Sequence, residues 1–264
     1  MNGLPVDATA VCYDMGTEAN WLRPRDAGVL CAQEVHVWRA YLELPRLVLQ
    51  ELEQTLSPDE RQRAGRFRFA SDRCRFVAAR GVLRQILARY LDCHPSEAKF
   101  SYGPFGKPAL APGCRSNGLQ FNLAHSGTLA VYAIAKGPEV GIDVEEIRPL
   151  FVQERIAEQF LAQQEVAELR ALPLQLQPEA FFNCWTRKEA YVKARGNGLQ
   201  IALDSFVVSL APGEPAEFRA GADPGWSLHA FTPVPGYIAA LATTGQNWRP
   251  KNLGAPFQRE SRLP

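Results

Sequence analysis

Residues 181 to 199 constrain the fold most: Phe-Phe-Asn-Cys-Trp-Thr-Arg-Lys-Glu-Ala-Tyr-Val-Lys-Ala-Arg-Gly-Asn-Gly-Leu. The stretch starts just after Pro178 and meets no breaker before Gly196, so proline near the start and glycine past the end bracket a helix. On a helical wheel Phe181, Phe182, Trp185 and Val192 share one stripe, and Lys188 and Glu189 fall inside it. A carboxylate in such a stripe requires a cation, a metal or several hydrogen-bond donors. The plain alternative is a surface pair between Glu189 and Lys193 at i,i+4, worth about 0.2–0.5 kcal/mol.

A second acidic group weakens that alternative. In Val140-Gly141-Ile142-Asp143-Val144-Glu145-Glu146 apolar and acidic residues alternate as in a half-buried strand. Period two puts Asp143 and Glu145 on one face and Ile142 and Val144 on the other. Two neighbouring carboxylates repel, and with Glu189 they make an oxygen-only set suited to Mg²⁺.

Val-Gly-Ile-Asp-Val-Glu at 140–145, followed by Phe-x-x-x-Trp-Thr-Arg-Lys-Glu-Ala-x-x-Lys from Phe181 to Lys193, resembles the paired signatures of the Sfp-type 4′-phosphopantetheinyl transferases. The resemblance runs from about Ser57 to Leu210. It implies an α/β (α+β) fold of two similar lobes with pseudo-twofold symmetry, each a small sheet packed with helices. The implied activity is transfer of phosphopantetheine from coenzyme A to a serine of an apo acyl or peptidyl carrier protein, with release of 3′,5′-ADP. Mg²⁺ would be held by Asp143, Glu145 and Glu189, with Lys193 reaching the same diphosphate.

Further residues take roles from the resemblance. Arg63 is the counterpart of a residue on the coenzyme A phosphates, Lys107 in Gly106-Lys107-Pro108 meets the nucleotide, and His125 binds its 3′-phosphate. Ala124 stands where the family usually has serine, so one hydroxyl contact is missing. Glu165 matches the family's Phe-Phe-Ser-x-x-Glu pattern loosely; it is read either as the group that abstracts the serine proton or orients a metal-bound water that does so, or as a solvated helix residue. Two other classes stay open: a carrier-binding module without catalysis, and a metal-dependent hydrolase of nucleotide diphosphates.

Along the chain, residues 1–33 read as a leader or loop, 34–137 as an N-terminal lobe, 138–247 as a C-terminal lobe with the metal site, and 248–264 as a mobile tail. A strand is expected at Glu34 to Leu42, a capping box at Ser57-Pro58-Asp59-Glu60, and a helix from about Asp72 to Leu91. Arginines crowd 61–89, a local basic surface that a net charge of +1 conceals. Most read as a solvated face, some as contacts for phosphate or an acidic partner. After Lys136-Gly137-Pro138 the order of elements repeats, with strands near 139–146, 205–210, 226–232 and 237–244 and helices across 152–195.

No apolar run approaches transmembrane length, and the first residues lack a signal-peptide pattern. Six scattered cysteines suit reduced thiols, so a cytoplasmic protein is expected. With both lobes in one chain, so is a monomer.

Overall fold

The structure, a computed structural model, describes residues 21–114, 117–148, 156–196 and 198–255. Glu34–Tyr41 forms the first strand (β1), and three helices follow: Arg46–Thr55 (α1), Pro58–Ala64 (α2) and Ala70–Leu91 (α3). Glu60 accepts the Ser57 N–H at 3.0 Å, which caps α2 as the Ser-Pro-Asp-Glu spacing predicts. A short hairpin, Phe100–Tyr102 (β2) and Pro108–Leu110 (β3), leads to Leu119–Ser126 (β4) and Leu129–Lys136 (β5). The second half repeats that order. It runs Val140–Glu146 (β6), Ile156–Phe160 (α4), Gln163–Ala171 (α5), Gln177–Arg195 (α6), Val207–Val208 (β7), Phe218–Ala220 (β8), Trp226–Phe231 (β9) and Tyr237–Thr244 (β10).

The sheets repeat as well. β1-β5-β4 in one lobe corresponds to β6-β10-β9 in the other, with every one of these pairs antiparallel. The order seen in the sequence is therefore a repeat of topology. Helix α3 packs on one face of the first sheet through Leu83 and Leu87 against Trp38 and Tyr132. Helix α6 packs on the second through Phe181 and Tyr191, in one core with Ile238 and Ala240. The remaining sheet faces meet each other through Val37, Val131, Ile142, Val144 and Leu241. The result is a helix–sheet–sheet–helix stack of two α+β lobes. β5 is buried on both faces from Leu129 to Ala135, which is why its sequence is a continuous apolar run. No helix among the described residues is long and apolar enough to cross a membrane.

Several expectations need correction. The tail is not mobile from Trp248: Arg249–Gly254 (β11) joins the first sheet parallel to β1, and Leu253 is fully buried. Its charged, proline-bearing sequence has no apolar period, because an edge strand is held largely by backbone pairing. Part of the expected leader is also packed. Leu22 bridges to Leu253, and the Trp21 ring lies 6.4 Å from that of Phe231. Residues 1–20 and 256–264 lie outside the described residues. The strand expected at 205–210 shrinks to β7, paired with β8, which the sequence reading missed. Arg80 and Arg84 leave the solvated face as well. Their Nε atoms donate to the buried Glu60 carboxylate at 2.8 and 2.7 Å, so these two guanidiniums are structural.

The docking of β11 predicts that Leu253→Ala removes about 2–5 kcal/mol of stability, the usual cost of a core leucine truncation. Urea denaturation reads this directly. An unchanged midpoint would mean that β11 adds nothing to the fold.

Candidate active site

The site is built where α6 crosses β6. Ile142 and Val144 point into the core between the sheets, so period two turns Gly141, Asp143 and Glu145 to the other face. Gly141 is the crossing point. A Cβ there would lie 2.1 Å from the Ala190 carbonyl oxygen and 2.3 Å from the Ala194 nitrogen, so only glycine lets the helix come this close.

Two residues along, Asp143 is 3% exposed, and the Lys193 ammonium donates to its Oδ1. Its Oδ2 is buried with no hydrogen-bond partner. Glu189 lies one helical turn before Lys193. Both line a cleft of about 270 Å³ together with Lys107, Phe105 and Asn122. The i,i+4 surface pair is not what forms: Lys193 reaches across to β6 instead.

The electrostatics follow from this crowding. Burial holds Asp143 above the usual carboxylate range, with Lys193 opposing the shift. Burial and then repulsion from Asp143 raise both Glu145 and Glu189. Burial works against the charge on Lys193, but Asp143 and then the two glutamates hold the ammonium above its ordinary value, so it stays protonated.

The other expected residues divide. Lys107 lines the cleft, and its ammonium donates to the Ala194 carbonyl at 2.7 Å, which ties the Gly-Lys-Pro loop to the last turn of α6. Burial holds it below the ordinary lysine value. His125 stands exposed near the end of β4. Partial burial of its ring, then the charges of Lys193 and Arg75, hold it below the usual histidine value. Arg75 is one of the arginines crowding 61–89; its guanidinium donates to Glu43 at 3.3 Å, and its charge is felt at His125. Arg63 lines a second and larger cleft of about 600 Å³ with Arg66, Phe67, Phe76 and Tyr102. That cleft contains none of the three site carboxylates, and the β2–β3 hairpin contributes to both clefts.

Glu165 is corrected by its surroundings. It is 0% exposed and accepts the Ala162 N–H at 2.9 Å, the Val208 N–H at 2.8 Å and the Lys188 ammonium at 2.8 Å. Both oxygens are engaged and buried, so it is not a solvated helix residue, and its hydrogen bonds give it a structural place between α5, α6 and β7. Lys188, which the helical wheel puts in the apolar stripe, reaches this partner and the carbonyls of Leu203 and Phe206.

Glu189 lines the cleft from α6, Asp143 and Glu145 share one face of β6, and the three do not form a closed ligand set. Among the described residues no three His, Cys, Asp or Glu side chains converge closely enough to hold a metal ion. In kind they do fit a hard divalent cation: all are oxygen donors, and Asp143 keeps one buried oxygen unpartnered.

Comparison with known proteins agrees with this architecture. Residues 139–242 match the 4′-phosphopantetheinyl transferase superfamily, and residues 46–137 match the family described as 4′-phosphopantetheinyl transferase, N-terminal. The 4′-phosphopantetheinyl transferase HetI of Nostoc sp. is 42% identical over 231 residues, covering 88% of this chain and 96% of its own. The 4′-phosphopantetheinyl transferase Sfp of Bacillus subtilis is 31% identical over 155 residues, covering 59% of this chain and 66% of its own.

Two outcomes follow from the crossing and its charges. Gly141→Ala forces α6 off β6, and overpacking against backbone should cost about 3 kcal/mol or more. Paired urea and activity measurements should show both falling together. Glu189→Gln should behave oppositely in stability. Because the folded protein raises this carboxyl's pKa, its charge opposes folding, and that opposition grows as pH rises from the unfolded value, about 4.3, toward the folded one. The variant should therefore melt a few degrees higher than wild type at pH 7.5, with the gap closing toward pH 4. A constant gap across that range would mean that Glu189 titrates normally.

Proposed function

The chain belongs to the 4′-phosphopantetheinyl transferase superfamily, and from that premise we propose how its own side chains move phosphopantetheine from coenzyme A to a carrier-protein serine. The serine oxygen attacks the β-phosphorus of the coenzyme A diphosphate. The P–O bond to 3′,5′-ADP breaks, and the serine proton passes to the enzyme. Glu189 is the acceptor of that proton. It lines the cleft, and burial, then repulsion from Asp143, raise its pKa above the ordinary carboxylate value, which makes it a stronger proton acceptor than an exposed glutamate.

Lys193 has two tasks. It pairs with Asp143, opposing the burial that would protonate that carboxyl, and it offers a point charge to the diphosphate. His125 and Arg75 take the 3′-phosphate end, and Arg63 supports the phosphates from its own cleft. Lys107 fixes the loop that closes the cleft against the end of α6. Mg²⁺ held by Asp143, Glu145 and Glu189 would neutralise the charge that builds on the phosphoryl group and on the leaving 3′,5′-ADP. Acyl or peptidyl carriers of fatty-acid, polyketide or nonribosomal peptide synthesis are the acceptors. We infer a cytoplasmic monomer from the free cysteines of the described residues and from the two lobes of one chain.

The single observation behind this reading is the Asp143 carboxylate, buried, paired on one oxygen and unpartnered on the other, next to the cleft that Glu189 and Lys193 line. Intact mass of an apo carrier protein after incubation with this chain, coenzyme A and Mg²⁺ tests it. A gain of one phosphopantetheinyl group that EDTA prevents is expected. Asp143→Asn should remain folded by circular dichroism and lose at least about 10²-fold in rate, the scale for removing one electrostatic contact to a transition state. Ordinary transfer by the variant, with unchanged Mg²⁺ dependence, would sink the assignment.

A further inference from the structure

β4 and β6 are edge strands of separate sheets, so their outward backbone groups have no ladder between them. Side chains of β4 make the join. Asn122 Oδ1 accepts the Ile142 N–H at 2.9 Å, and Ser126 Oγ accepts the Glu146 N–H at 3.2 Å. Each of these rungs links residues 20 apart, so β4 and β6 run side by side in the same direction with their register fixed at two points. Asp143 and Glu145 lie between those points. The Ser126 hydroxyl does more than satisfy the edge, because it also donates to Glu145 Oε2 at 2.7 Å. Asn122 and Ser126 are both buried, so water does not compete for these bonds.

The join crosses from one lobe to the other. β4 belongs to the N-terminal lobe and bears His125, whereas β6 belongs to the C-terminal lobe and bears the acidic pair. Between Asn122 and Ser126 stands Ala124, which has no polar atom to offer and packs in the core between the sheets. Among the described residues, Asn122 and Ser126 are the β4 side chains that hydrogen-bond to β6 along this stretch.

We propose that Ser126, with Asn122, is a positioning residue: it holds β6 in register on β4 and fixes the Glu145 carboxylate beside Asp143 for the divalent cation. The inference rests on the metal reading above and deepens it. A hydrogen bond to one oxygen of a ligating carboxylate restricts its rotamers and aims the other, and such outer partners typically change metal affinity or activity by about 10–100-fold when removed.

Mn²⁺ binding to the full-length chain, measured by calorimetry without coenzyme A or carrier protein, tests the inference apart from turnover. Ser126→Ala should raise the Mn²⁺ dissociation constant by about 10-fold or more. Ser126→Thr, which keeps the hydroxyl, should restore it. Where alanine weakens folding, Ser126→Cys replaces the hydroxyl by a weak donor at nearly the same size and should show the same loss. A purely structural role for Ser126 would lower the melting temperature and leave the Mn²⁺ constant of the folded protein unchanged, which would overturn the proposal. A loss that threonine does not restore would assign the effect to packing and overturn it too. Wild-type protein that takes up no Mn²⁺ would overturn the metal reading itself, and this inference with it.

Discussion

The backbone of α6 touches the backbone of β6 at Gly141, and the site depends on that contact. With a side chain in the way, the helix would stand further from the sheet, and Asp143, two residues on, would face open solvent. At the observed distance Asp143 is buried against α6 and must find a partner in the helix. Lys193 supplies it. Glu189, one turn earlier on the same face, is then carried to the same cleft. One missing Cβ thus converts two sequence motifs, with Glu145 and Lys188 43 positions apart, into a single cluster of charges that sense one another.

Contact alone would leave the helix free to rotate about its axis. Lys188 removes that freedom. Its ammonium is fully buried, where it pairs with Glu165, donates to the carbonyls of Leu203 and Phe206, and lies 4.3 Å from the centre of the Phe206 ring. Buried ion pairs are weak sources of net stability, yet one with every group satisfied selects a particular arrangement over its neighbours. Consecutive helical residues point about 100° apart, so turning Lys188 inward obliges Glu189 to face elsewhere, and here that is the cleft. Two adjacent charged residues in an apolar stripe therefore do different things. The first locks the rotation of the helix and the second uses it.

The sequence made part of this visible. Alternation from Val140 to Glu146 correctly placed Asp143 and Glu145 on one face, and the helical wheel correctly set Lys188 and Glu189 in a stripe that a solvated pair does not occupy. What stayed hidden needed the third dimension. Glu165 fitted a family pattern, but its true partner, Lys188, is 23 residues away in sequence and was itself the available clue: a lysine in an apolar stripe calls for a buried acid. Arg75, Arg63, Arg80 and Arg84 are the same letter in one basic segment, although two are locked on Glu60 and Arg75 pairs with Glu43. β11 left no periodic trace because β1 supplies its hydrogen bonds. Ser126 carried no signal in the sequence, since the edge it satisfies belongs to a strand of the other lobe.

The charges of the site also explain why a second cation suits it. Asp143, Glu145 and Glu189 bring three negative charges when ionised, and Lys193 brings one positive, which leaves −3 + 1 = −2. Burial raises all three carboxyl pKa values, and repulsion from Asp143 adds to the rise at Glu145 and Glu189. Protonation could relieve the excess charge, but a protonated Glu189 accepts no proton from serine. A second lysine could relieve it as well, but it would occupy the space that the diphosphate must enter. On the proposed reading one divalent ion balances the remaining −2, leaves Glu189 ionised, and brings its charge only when the substrate needs it. The two long helices are anchored outside this cluster, α3 through Arg80 and Arg84 on Glu60 and α6 through Lys188 on Glu165, so the site charges are not the groups that orient them.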